Sequence, residues 1–157
     1  MGAEWYETET AGATAGEAYT KACEQAWWDH GHSGYTGTIA EKNGFVQIPR
    51  PPRIKASKVA AVLYNAETYY WWQHHGANSS RVGMGYTEAP YGKEAFEACK
   101  QWWPAGSDID YVKIFTLLDE KWEASLVVEQ DLATRKKDFP NLPKGHKTFL
   151  FFGRAST

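Results

Sequence analysis

The chain has 157 residues, 17 Lys and Arg against 19 Asp and Glu, and an aromatic share of 15%. That near-neutral balance argues against a duplex nucleic-acid partner, which calls for a clearly basic domain. Apolar runs such as 125–128 and 148–153 fall far short of the roughly 18 residues that cross a membrane, so no membrane partner is expected. Glu4, Glu7 and Glu9 stand where a secretory signal would be basic, which predicts a cytoplasmic location.

The length predicts a single α+β domain over 14–157, preceded by an extended arm at 1–13. Eight Trp and nine Tyr compensate for scarce aliphatic residues, so the core should hold large aromatic rings of about 150–250 Å² each. The arm is polar apart from Trp5 and Tyr6. That pair hints at a third role, as a subunit of a homo-oligomer.

A first helix is predicted from Thr14 to about Asp29. Thr14 and Glu17 have capping-box spacing, Ala18, Ala22 and Ala26 make one stripe, and Gly31 supplies a stop. Asn43-Gly44, between 35–40 and 45–48, is a strong hairpin signal, and Pro49, Pro51 and Pro52 then impose an extended connector. A second helix is expected over 57–75 and a third over 92–103. The intervening glycine-rich stretch at 76–92 reads as a long loop. From Tyr111 onward the residues suggest a second hairpin with a turn at 119–122, although 110–121 also suits a helix. Residues 133–145 read as a surface loop and 146–153 as a final strand. The predicted architecture is about three helices on an antiparallel sheet built from two hairpins and a C-terminal strand.

Cys23 and Cys99 lie in apolar helical patterns and read as buried thiols. The Trp-Trp pairs at 27–28, 71–72 and 102–103 should each send one ring into the core, because neighbours on a helix differ by about 100°.

The richest stretch for chemistry runs from His30 to Thr38. It gathers His30, His32, Ser33, Tyr35, Thr36 and Thr38 among three glycines, with Glu41 close behind. Glycines such as Gly37 let a ligand approach the backbone, while hydroxyls and imidazoles supply donors and acceptors. We therefore expect a ligand-binding set of His32, Ser33, Tyr35, Thr36, Gly37 and Thr38, joined by Trp72, His75 and Tyr86. The structural alternative is a helix end followed by a tight turn. Neither GxxxxGK[ST] nor a strand-led GxGxxG is present, and no ligand set for a metal stands out, so no cofactor or metal is expected.

The run GHSGYTGTIAEK at 31–42 resembles segments of small uncharacterised proteins of phages and their bacterial hosts. That resemblance implies binding of a host component or of a signalling nucleotide. The leading expectation is a non-catalytic binding protein that engages a host protein or a nucleotide-like ligand through this loop and exposed aromatics. The alternative is a small hydrolase or transferase acting on a nucleotide or phosphoester, with His30 or His32 as acid or base and Tyr35, Thr36 or Glu41 positioning substrate.

Overall fold

The computed structural model describes residues 2–32, 34–75 and 91–157. It is α+β. Strands β1 (Ala3–Gly12), β2 (Phe45–Gln47), β3 (Ser125–Glu129) and β4 (Lys147–Ser156) form one sheet in the order β1-β4-β3-β2. Five helices accompany it among the described residues: α1 (Ala15–His30), α2 (Ala56–His75), α3 (Lys93–Trp102), α4 (Tyr111–Asp119) and α5 (Leu132–Asp138).

Strand β4 sets the layering. Side chains alternate along a strand, so Phe149, Phe151 and Ala155 go to one face and Leu150 and Phe152 to the other. On the first face they meet Tyr6, Val127 and the small-residue stripe Ala18, Ala22, Cys23 and Ala26 of α1. On the second, Leu126, Val128, Leu150 and Phe152 pack under α2, α3 and α4, where Leu63, Tyr70, Phe96, Phe115 and Leu118 fill the space. The sheet is therefore covered on both sides, and its central strand is apolar on both faces.

Several expectations are corrected. The predicted N-terminal arm is extended, but it is a full strand, paired with β4 from Ala3↔Ser156 to Gly12↔Lys147. The hairpin around Asn43-Gly44 does not form. Thr38 instead caps a 3-10 turn at Ile39–Glu41, Ile39 is buried, and β2 pairs in parallel with β3, so the sheet is mixed rather than antiparallel. The second hairpin is also absent, since 111–119 is α4, capped by Asp110, whose side chain accepts from Lys113 N–H. Ile114, Phe115 and Leu118 then share one buried face, a helical spacing that outweighs the strand propensity of the stretch. The first part of the loop expected over 133–145 instead belongs to α5, which starts at Leu132 behind the Asp131 cap.

The first helix keeps its predicted ends. Thr14 accepts from Glu17 N–H at 3.1 Å, Ala13 N–H donates back to Glu17 Oε2 at 3.3 Å, and Gly31 closes the helix at φ 82°. Cys23 and Cys99 are free, buried and on opposite faces of the sheet, so no disulfide can join them.

Candidate functional site

The 31–38 loop is held against the end of the sheet by its own polar groups. Gly31 N–H donates to Trp27 C=O and Gly37 N–H to Ser156 C=O, both at 2.8 Å. Gly37 has φ 71°, and a Cβ there would lie 2.7 Å from Glu4 Oε2 and from Thr157 Cγ2, so glycine is required for this approach. The Thr36 and Thr38 hydroxyls share a hydrogen bond of 2.7 Å, and Thr38 Oγ1 also accepts from Ala40 N–H. Two hydroxyls that the sequence offers to a ligand are thus engaged within the turn.

The loop does present rings. His32 stacks on Trp27 with centroids 5.4 Å apart, and Tyr35 meets Trp122 edge-on at 5.8 Å. His32 and Tyr35 are three residues apart, so their backbones lie within about 11 Å of each other. Trp28 adds a third element and is 87% exposed, and Trp27, Tyr35 and Trp122 are also exposed. The expectation that one ring of each Trp pair is buried holds for Trp71 and Trp103. It fails for 27–28, because α1 fills its interface with alanines and its last turn leaves both indoles outside.

Behind this belt sits an interior lysine. Lys42 is only 6% exposed; its Nζ donates to Glu120 C=O at 2.7 Å and lies 5.9 Å from the centre of the Tyr6 ring. Tyr6 O–H donates to Ser125 Oγ at 2.6 Å, and Ser125 O–H is directed at backbone carbonyls of β3 and β4. Asn43 Nδ2 also reaches Glu123 Oε2, at 3.5 Å. These links tie the segment bearing Trp122 to the turn that follows the loop. Burial pushes the Lys42 amine down to about 8, against the opposing pull of Glu120 and Glu123, with Arg154 adding repulsion. Burial also drives the Tyr6 phenol far above its ordinary range, although the Ser125 hydrogen bond acts the other way.

The remaining predicted site residues do not gather here. His30 is the exposed last residue of α1. Glu41 lies in the 3-10 turn, and its Oε2 is buried with no hydrogen-bond partner among the described residues. Trp72 is half-buried beside Tyr69 on α2, on the sheet face opposite α1, and His75 ends that helix. Ser33, Tyr86 and the His75 side chain lie outside the described residues. Clefts among the described residues are lined by other segments, namely β1 with α2, the α5 region, α2 with the start of α3, and β2 with α4. Among the described residues no group of three or more His, Cys, Asp or Glu is placed to hold a metal ion, and no helix is long and apolar enough to cross a membrane.

Sequence reasoning missed Trp122 and the interior position of Lys42. A lone indole inside the charged run Asp119-Glu120-Lys121-Trp122-Glu123 was a usable signal, since such a ring has few reasons to be there other than contact. Comparison with protein-family models, with curated proteins and with solved structures finds no match for this chain.

Proposed function

We propose that this chain is a non-catalytic binding protein whose partner surface is the ring belt of Trp27, Trp28, His32, Tyr35 and Trp122. The observation that carries the reading is the exposure of these rings on the last turn of α1, the loop that follows it and the segment beyond α4, with Trp27 paired to His32 and Tyr35 to Trp122. Clustered exposed aromatics are a signature of contact surfaces, and Trp and Tyr supply much of the energy at interface hot spots. Exposed Glu24 and Asp29 lie close in the chain to Trp27 and Trp28 on α1, and half-buried Glu120 and exposed Glu123 lie close to Trp122. Rings with acidic neighbours suit a protein segment rich in Arg and Lys, which gains cation–π contacts and charge complementarity together. A phosphate-bearing nucleotide meets unfavourable charge there. In keeping with the phage-like run at 31–42, the partner is a component of the host.

The alternative, an enzyme acting on a nucleotide or phosphoester, requires His30 or His32 to converge with a carboxylate or hydroxyl in one concave pocket. His32 instead lies flat on Trp27, and the nearby threonine hydroxyls bond to each other.

The test is selection of displayed 12-residue peptides on the wild-type protein, with the Trp28→Ala/Trp122→Ala double variant as counter-target. Basic peptides whose affinity falls at least tenfold on the double variant support the reading. It is overturned if every selected peptide binds both proteins alike. Thermal stabilisation by ATP, cyclic AMP, NAD or ADP-ribose that His32→Ala abolishes would instead favour the enzyme.

A further inference from the structure

β1 is an edge strand: it pairs with β4 on one side, and among the described residues no strand pairs with its other side. Alternate residues along its length therefore turn N–H and C=O groups outward, as a template for another strand. Two pockets border this strand, one between it and α2, the other between it, the start of α2, α5 and the sheet residue Leu150. One, of about 290 Å³, is bounded by Trp5, Glu7, Ala61 and Tyr64. The other, of about 240 Å³, is bounded by Glu7, Glu9, Ser57, Gln130 and Asp138.

Trp5, Glu7 and Glu9 alternate with Tyr6, so all three share one face of the strand. Glu7 borders both pockets, so they are adjacent along the strand, with Trp5 in one and Glu9 in the other. Trp5, Glu7 and Glu9 follow one another at the spacing of alternate side chains, as those of an added strand would beside them.

The two pockets differ in chemistry. In the first, Trp5 and Tyr64 meet edge-on at 4.9 Å and form an aromatic wall. In the second, three carboxylates face a single lysine, Lys55. Gln130 is 7% exposed and donates from Nε2 to Glu9 Oε2 at 3.1 Å, and its Oε1 is a buried acceptor with no partner among the described residues. Partial burial and the neighbouring Asp138 carboxyl hold Glu9 above the ordinary carboxylate range, although the Gln130 hydrogen bond opposes this. Such a pocket lacks a cation with several donors.

We infer that the groove between β1 and α2 receives an extended peptide that adds to the free edge of β1, with an apolar or aromatic side chain beside Trp5 and Tyr64 and an Arg or Lys two residues away in the Glu7–Glu9–Asp138 pocket. Strand addition of this kind takes its affinity from backbone hydrogen bonds and its specificity from alternate side-chain pockets. A second copy of this chain is a poor occupant, because antiparallel pairing of β1 with itself brings glutamates face to face.

The probes are two acetylated, amidated heptapeptides, Thr-Thr-Arg-Thr-Phe-Thr-Thr and Thr-Thr-Phe-Thr-Arg-Thr-Thr, which cover both strand directions. Titration of ¹⁵N-labelled protein should shift the β1 amides with one of them. Affinity should fall at least tenfold when Arg is replaced by Glu in the peptide, and at least fivefold in the Glu9→Gln/Asp138→Asn variant. N-methylation of alternate peptide amides, in both phases, should abolish binding in one phase. The inference is overturned if neither peptide shifts β1 at millimolar concentration, or if binding survives N-methylation in both phases or the double variant. Shifts centred on Trp122 would also overturn it while leaving the belt reading intact, and Trp28→Ala/Trp122→Ala should not alter binding in the groove.

Discussion

Replacing Lys42 with methionine tests the interior lysine directly. The substitution keeps the unbranched shape of the side chain, one atom shorter, and removes the charge. In the folded protein the amine titrates near 8 instead of 10.5, a fall caused mainly by burial. A change of that size corresponds to about 3 kcal/mol between the two protonation states. The sign follows from proton counting. Between pH 8 and 10.5 the unfolded chain holds the proton while the folded one has lost it, so this residue makes stability rise with pH. Below pH 8 both states are charged, and the folded state carries the full cost of the buried ammonium.

Methionine has no such titration. The stability of wild type relative to Lys42→Met should therefore increase by about 1.4 kcal/mol from pH 7 to pH 9 and by about 2.5 kcal/mol by pH 10. At pH 7 the lost bond to Glu120 C=O, about 1.5–3 kcal/mol for a charged donor, largely offsets the relief from burying an ion. The pair should then lie within about 2 kcal/mol. Burial raises Cys23, Cys99, Tyr6 and Tyr19, so their contribution to stability is lost above pH 9–10 as the unfolded chain ionises first. Both proteins share that loss, and it cancels in the difference. Urea denaturation followed by tryptophan fluorescence at each pH gives the two curves. Curves that run parallel from pH 7 to pH 10 would refute the reasoning, because they would mean that Lys42 reaches solvent.

Three other outcomes follow from local geometry. Gly37→Ala should cost about 1–2 kcal/mol by urea denaturation, since its φ of 71° is unfavourable for alanine and its Cβ would crowd Thr157. Thr14→Ala should cost about 1 kcal/mol through loss of the α1 cap, seen as a lower thermal midpoint. Cys99, pushed up to about 12 by burial, should resist a thiol reagent at pH 8 in the folded protein and react promptly in urea. Fast labelling of the native chain would contradict its place under α2 and α4.

What could be read from the sequence was the part that neighbours in the chain decide. Thr14, Glu17 and Gly31 bound α1 through contacts within four residues, and the bonds appear as their spacing predicts. The sheet depends on distant partners. Trp5, Glu7 and Glu9 alternate with Tyr6, Thr8 and Thr10, but the strand they form pairs with residues about 140 positions later, and nothing local announces that partner. Asn43-Gly44 misled for the same reason: the strand beside Phe45–Gln47 is Ser125–Val127, not the residues before the turn. At the site, His32 and Tyr35 were visible as ring-bearing loop residues. Their companions Trp27 and Trp122 come from α1 and from the segment beyond α4, and only packing brings them together.

The position of β4 governs the order in which the molecule can assemble on the ribosome. It occupies an inner place in the sheet, and both aromatic clusters are built on its faces. Until the chain has been made through Ser156, β1 has no strand to pair with, and the inner faces of α1 and α2 lack the aromatic residues of β4 that complete both clusters. The N-terminal glutamates then serve the nascent chain, keeping a strand that waits for its neighbour charged and in solution. Folding should be slow, because the β1–β4 pairing joins residues about 140 positions apart.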